Sequence, residues 1–229
     1  KSNQLNMKLT PDDLNLEENN ILRKPNYSIK KLLKQRWLVV IFALMLTGLG
    51  AALTGVLFKA GIHILDTWRL NLLQNNPAWL ILPILGGVGG LISSYLIHSL
   101  APAASGSGVS HIMAFLRHRA VPMGLRVGLV KLLAGIIAIG SGFPLGPEGP
   151  AVQMGGSVAW KMAQILKAPI AFRRVIVAAG GGAGLAAIFS APIGGFIYVI
   201  EELLNSARPI ILLLVVVTTF WADTWADVL

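Results

Sequence analysis

The chain has 229 residues, 55% of them hydrophobic and only 13% charged, whereas water-soluble domains carry about a quarter charged residues, so an ordinary soluble domain is excluded and lipid is the expected solvent. The net charge of +9 sits mainly in short clusters beside apolar runs, the pattern of cytosolic topology signals and not of a nucleic-acid-binding surface. Cysteine is absent, so neither a disulfide framework nor a thiolate metal site can hold the fold or do chemistry.

Residues 1–36 are polar, carry mixed charge from Asp12 to Glu18, and end in the basic group Lys30, Lys31, Lys34 and Arg36. They read as a cytosolic N-terminal arm, too long and too acidic for a cleaved secretory leader. Residues 37–68 are mostly apolar, interrupted by Lys59 and His63, and long enough to cross a bilayer core while tilted. Asn75, Asn76 and Pro77 predict a turn. A second span covers 79–100, where Gly86, Gly87, Gly89 and Gly90 are expected to let helix backbones approach closely. Positive charge returns at Arg117 and Arg119, so the two spans form an out-and-back pair with both basic ends cytosolic.

Beyond this the apolar segments are short and broken by glycine and proline, at 121–139, 150–166, 172–189, 192–204 and 209–225. Discontinuous helices at membrane depth are tolerated only where their free backbone groups face protein or a polar cavity, and transporters use such ends to hold ions. The pattern predicts an all-α polytopic membrane protein with a transport pathway. No internal repeat is visible, so any inverted repeat must be completed elsewhere.

Three features place polar atoms where lipid-facing structure could not accept them: G-S-G-V-S at 106–110, G-S-G-F-P-L-G-P-E-G-P at 140–150, and the pair Glu201 and Glu202. Gly106 and Gly108 allow a tight turn at Ser107 that presents an amide and a hydroxyl donor, which suits a halide; the alternative is a helix break in a loop. Glu148 stands just before a helix expected to begin near Pro150, so its carboxylate can lie at the positive end of a helix dipole. There it can occupy an anion site itself and act as a pH-dependent gate, or it can be a simple capping carboxylate. Glu201 and Glu202 are about 100° apart on a helix, so one is expected to face the interface and one inward. The inward one is a candidate for proton transfer, and the alternative is an interfacial pair bonded to Arg208.

Lys131 sits in an apolar segment and must find a carboxylate, backbone carbonyls or an aqueous cavity. It either sets a positive potential along an anion path or snorkels to the interface. His63, His98, His111 and His118 show no metal-ligand spacing, and no cofactor is expected.

At these motifs the chain resembles the CLC family of chloride channels and proton-coupled chloride antiporters, whose first half carries G-S-G-I-P, G-(K/R)-E-G-P and a later glutamate pair in this order. The resemblance runs from residue 37 to the C-terminus. It implies the first half of an inverted-repeat transmembrane fold at 37–229, the second half being absent, as in a fragment of a longer protein or, alternatively, a chain that assembles with another copy or a partner. It makes Ser107 a central chloride ligand with Gly106, Gly108 and Gly149 around the anion, Glu148 the external gate, Glu202 the internal proton-transfer group and Glu201 its acidic neighbour. It further implies a homodimer through the segments at 192–204 and 209–225, with chloride and protons as substrates and a lipid bilayer as surroundings.

The chain departs from the family pattern twice. Ser110 replaces the proline of G-S-G-I-P and is expected to loosen that helix start, and Pro147 replaces the basic residue before the gate, removing a charge and an N–H. The implied function is proton-coupled chloride antiport and no enzyme activity. The alternatives are a passive voltage- or pH-gated chloride channel and, from another class, an intramembrane hydrolase with Ser107 as nucleophile and a histidine base.

Overall fold

The computed structural model describes residues 29–74, 76–119, 121–204 and 208–229, with side chains from Trp37 onward. The arm's acidic stretch, the side chains of Lys30, Lys31, Lys34 and Arg36, and Asn75 of the expected turn lie outside the described residues. The chain divides into two units, Lys1–Trp37 and Leu38–Leu229, and the candidate site lies wholly in the second.

The described residues are helical with no strand. Helix α1 is Ile29–Gln74 and α2 is Ala78–Leu100; a 3₁₀ turn at Pro102–Ala104 leads to the short α3, Val109–Leu116. Then follow α4 (Leu125–Gly140), α5 (Glu148–Ile165) and α6 (Ile170–Phe189). Helix α7, Pro192–Tyr198, continues as a π-helical turn at Val199–Leu204, and α8 is Pro209–Val228. Among the described residues four helical segments are long and apolar enough to span a membrane: Trp37–Gln74, Ala78–Leu100, Ile170–Phe189 and Pro209–Val228.

Helix α1 runs past its expected end at 68, where neither glycine nor proline follows before Pro77 and Asp66 pairs with Arg69 one turn on. The helix start expected beside Ser110 is the short α3, whose eight residues are too few for an apolar period to stand out. Helix α4 begins at Leu125 and not at 121, after an irregular stretch.

Helix α6 is the centre of the bundle. Of its apolar window 78% is buried, against 11% for α2, whose surface is largely exposed. Helix α5 packs along α6, α8 and α7 cover further faces of it, and α4 lies between α2 and α5. From Leu38 onward α1 closes this layer: Gly50 meets Val158 of α5, Gly55 meets Ala187 of α6 and Gly61 meets Ile136 of α4. Ala51, Ala183 and Ala222 form a buried cluster, and Trp221 donates its indole N–H to the Met45 carbonyl at 3.1 Å.

Close approach in lipid needs small residues, since helix association there depends on packing. Two of the four glycines expected to serve it do so. Gly86 and Gly87 face open space, while Gly89 and Gly90 do pack, on Ser141 and Phe143. The tightest seam joins α5 and α6, where a Cβ on Gly155 would strike the Gly180 carbonyl and one on Gly184 would strike the Ala151 carbonyl. The spacings Ala151-x-x-x-Gly155 and Gly180-x-x-x-Gly184 were its legible signal.

Candidate functional site

The loop between the 3₁₀ turn and α3 turns on two glycines with positive φ, Gly106 at 73° and Gly108 at 93°. Other residues adopt this region at a cost of about 1 kcal/mol or more. Two buried side chains hold the loop from behind. Lys131 of α4, only 6% exposed, donates from Nζ to the Ala104 carbonyl at 3.0 Å and to the Gly106 carbonyl. Gln153 of α5 donates from Nε2 to the Ala103 carbonyl at 2.8 Å. Lys131 therefore meets the demand of a buried amine with backbone carbonyls and does not snorkel. Carbonyl oxygens that would repel an anion are tied to donors.

Helix α5 begins at Glu148, two residues ahead of Pro150, so Glu148 lies inside the first turn, with Pro147 as its N-terminal cap. Proline is tolerated in a first turn because N–H groups there have no partner within the helix. The Ala151 N–H reaches the Pro147 carbonyl at 2.9 Å. With Pro150 lacking an N–H, the amides of Glu148 and Gly149 are the donors left free by the helix at this end. The Glu148 carboxylate turns back over Gly146, which has no side chain to obstruct it.

Gly149 joins the two parts. A Cβ there would collide with the Ser107 carbonyl, and one on Gly108 would lie 2.7 Å from Gln153 Cβ and 2.8 Å from the Gly149 carbonyl. The loop and the start of α5 thus touch backbone to backbone. Gly106, Ser107, Lys131, Glu148 and Gly149 line one cavity of about 650 Å³, whose remaining wall is largely apolar. Ser107 and Glu148 are both exposed, while Gly108 is buried behind them. The cavity joins a hydroxyl, two free helix amides, a lysine and one acid, a set suited to a small anion in competition with the carboxylate.

Ser110 sits in the first turn of α3, which forms without the proline: the Ile112 N–H bonds the Gly108 carbonyl at 3.1 Å. Glu201 and Glu202 lie on the π-helical turn and neither lines the cavity. Both acids are exposed in this chain, and Val199 and Leu203 take the buried positions. Among the described residues the one ion pair is Asp66 with Arg69, so Arg208 does not bind this pair. Gln153 was missed by sequence reasoning; its signal was a lone amide inside A-V-Q-M-G-G, which must find a partner when buried. His111 Nε2 lies 2.7 Å from the Pro122 carbonyl.

Broken helices whose ends meet at a cavity, inside an all-α bundle with helices long and apolar enough to span a bilayer, are the architecture of a polytopic membrane protein. The chain belongs to the voltage gated chloride channel family, whose model matches residues 89–229. It is 35% identical over 175 residues to the H(+)/Cl(-) exchange transporter ClcA of Vibrio cholerae, across 74% of this chain and 37% of that protein. The ClcA exchanger of Vibrio vulnificus is 34% identical over the same length, 74% of this chain and 38% of that protein. Among solved structures, a slow cyanobacterial Cl-/H+ antiporter superposes with a TM-score of 0.74 at 30% identity, over 83% of this chain and 46% of that one. A eukaryotic CLC transporter gives a TM-score of 0.74 at 26% identity, over 84% of this chain and 38% of that one. The chain thus spans less than half the length of the curated relatives it matches.

Proposed function

We propose that this chain forms part of the chloride pathway of a proton-coupled chloride exchanger. The carrying observation is that Ser107 and Glu148, far apart in sequence, line one cavity together with Lys131 and the start of α5. In this reading chloride is held by the Ser107 hydroxyl and the free amides of Glu148 and Gly149, with Gly106 and Gly108 shaping the turn. Lys131 adds positive potential while fixing the loop. The Glu148 carboxylate competes for the same space, and its protonation removes the charge and admits the anion, which makes it the gate.

Glu202 is proposed as the internal proton-transfer group with Glu201 beside it, a role supported by the family and by the names of the exchangers that the chain resembles. The pathway is completed by a second half of the fold. A homodimer through α7 and α8 is supported by the exposed apolar side chains Ile193, Ile197, Leu213, Val217 and Phe220 on those helices. Residues 1–36 are assigned to a cytosolic arm and 37–229 to the first half of the transmembrane domain. We read the protein as a transporter and not an enzyme. His111, the nearest histidine in sequence to Ser107, is held at the Pro122 carbonyl and is not poised as its base.

The test is proton uptake driven by a chloride gradient in liposomes, with the full-length gene product and its Glu148→Ala and Glu202→Gln variants. Coupled uptake in the parent, chloride flux without protons in Glu202→Gln, and loss of pH dependence in Glu148→Ala are expected. Chloride flux without protons in the parent would make it a passive channel.

A further inference from the structure

A second cavity, of about 430 Å³, lies where the end of α3 meets the turn from α5 to α6. Arg119, Arg173, Arg174 and His118 line it, and no carboxylate does. Among the described residues the one ion pair lies elsewhere, at Asp66 and Arg69. The Arg174 Nη2 is buried without a hydrogen-bond partner. A buried guanidinium N–H left unpaired is costly, so its acceptor is expected from outside the described residues. Arg173 is fixed in place, its Nε donating to the Ala168 carbonyl at 3.0 Å.

Helix α6 also begins at this cavity. Pro169 caps it without a side-chain bond and its first turn holds no acid, while the Phe172 N–H reaches the Pro169 carbonyl at 2.9 Å. The amides of Ile170 and Ala171 are left free, and such an end favours an anion. A positive topology signal would account for the number of basic residues here but for neither the cavity nor the unpaired Nη2.

The remaining wall is apolar. Phe115 and Trp160 stand edge to face at a centroid distance of 5.0 Å, and Ile170 is 81% exposed beside the arginines. Basic groups against an aromatic and aliphatic wall at a helix end fit an amphiphile at the membrane interface better than a free ion. We propose that this pocket binds the phosphate of an anionic lipid headgroup, seated on Arg119 and Arg174 with its glycerol and acyl portion toward Ile170.

The experiment follows the thermal midpoint of the full-length protein in detergent by tryptophan fluorescence. It titrates short-chain phosphatidylglycerol, phosphatidylcholine and inorganic phosphate in separate arms. Phosphatidylglycerol should raise the midpoint saturably and the other two should not. Arg174→Gln and Arg119→Gln should each raise the half-saturating lipid concentration about fivefold, the size expected for one basic residue at an anionic surface. Arg126→Gln, the same charge change at an exposed site outside the pocket, should match the parent. Should Arg174→Gln not fold, Arg119→Gln carries the test. An equal response to phosphatidylcholine, the same shift from inorganic phosphate, or an Arg126→Gln effect equal to that of the pocket variants would overturn the proposal. No arm measures transport, so the result is independent of the chloride reading.

Discussion

Glu148 and the pair Glu201 and Glu202 occupy opposite kinds of surroundings. Glu148 opens a helix whose first turn is pressed against the Ser107 loop, and that loop is held in turn by Lys131 and Gln153. The two later acids stand exposed on a π-helical turn with no ion pair among the described residues. The first acid is placed by backbone contacts that tolerate no added atom; the second pair is placed by a short local irregularity of the kind often found at functional sites. Geometry within this chain therefore supports an anion site at Glu148 directly, whereas a proton role for Glu202 draws its support from the family.

This contrast can be broken most readily at Gly149. Replacing it by Ala puts a methyl group into the Ser107 carbonyl, and overpacking against backbone belongs at the upper end of the usual cost of about 1–3 kcal/mol. Gly149→Ala should lower the thermal midpoint and remove chloride flux together; a variant with parental stability and flux would show that the loop and helix are not tightly joined. Lys131→Met comes next. It removes two bonds from a charged donor, worth about 1.5–3 kcal/mol each, offset by relief of burying the charge, for a net loss of about 1–2 kcal/mol. Its flux should fall more than its stability, because the loop moves without the helix packing being lost. The smallest effect is expected at Glu201→Gln, within about 0.5 kcal/mol of the parent, as for exposed surface changes. A large loss there, read by the same melting assay, would mean that the exposed turn is held by something outside the described residues.

Much of this architecture was legible because apolar run length is a direct signal in lipid: spans at 79–100, 172–189 and 209–225 fall within a few residues of α2, α6 and α8. The glycines and proline around Ser107 and Glu148 likewise announced backbone turned toward a polar space. What stayed hidden depends on neighbours distant in sequence. V-I-E-E-L-L carries nothing that distinguishes a π-turn from an α-helix, Gly86 and Gly87 look as ready to pack as Gly155 and Gly184, and Lys131 had three kinds of partner open to it. Only the meeting of α4, α5 and the 103–108 loop decides that its partners are the Ala104 and Gly106 carbonyls.

The central claim is that Ser107 and Glu148 share one anion site, and chloride titration by calorimetry of the full-length protein and its Glu148→Gln variant tests it most directly. Removing the competing charge from the cavity should tighten chloride binding, and Ser107→Gly should weaken it in both backgrounds. Chloride affinity that is the same in parent, Glu148→Gln and Ser107→Gly would contradict the account.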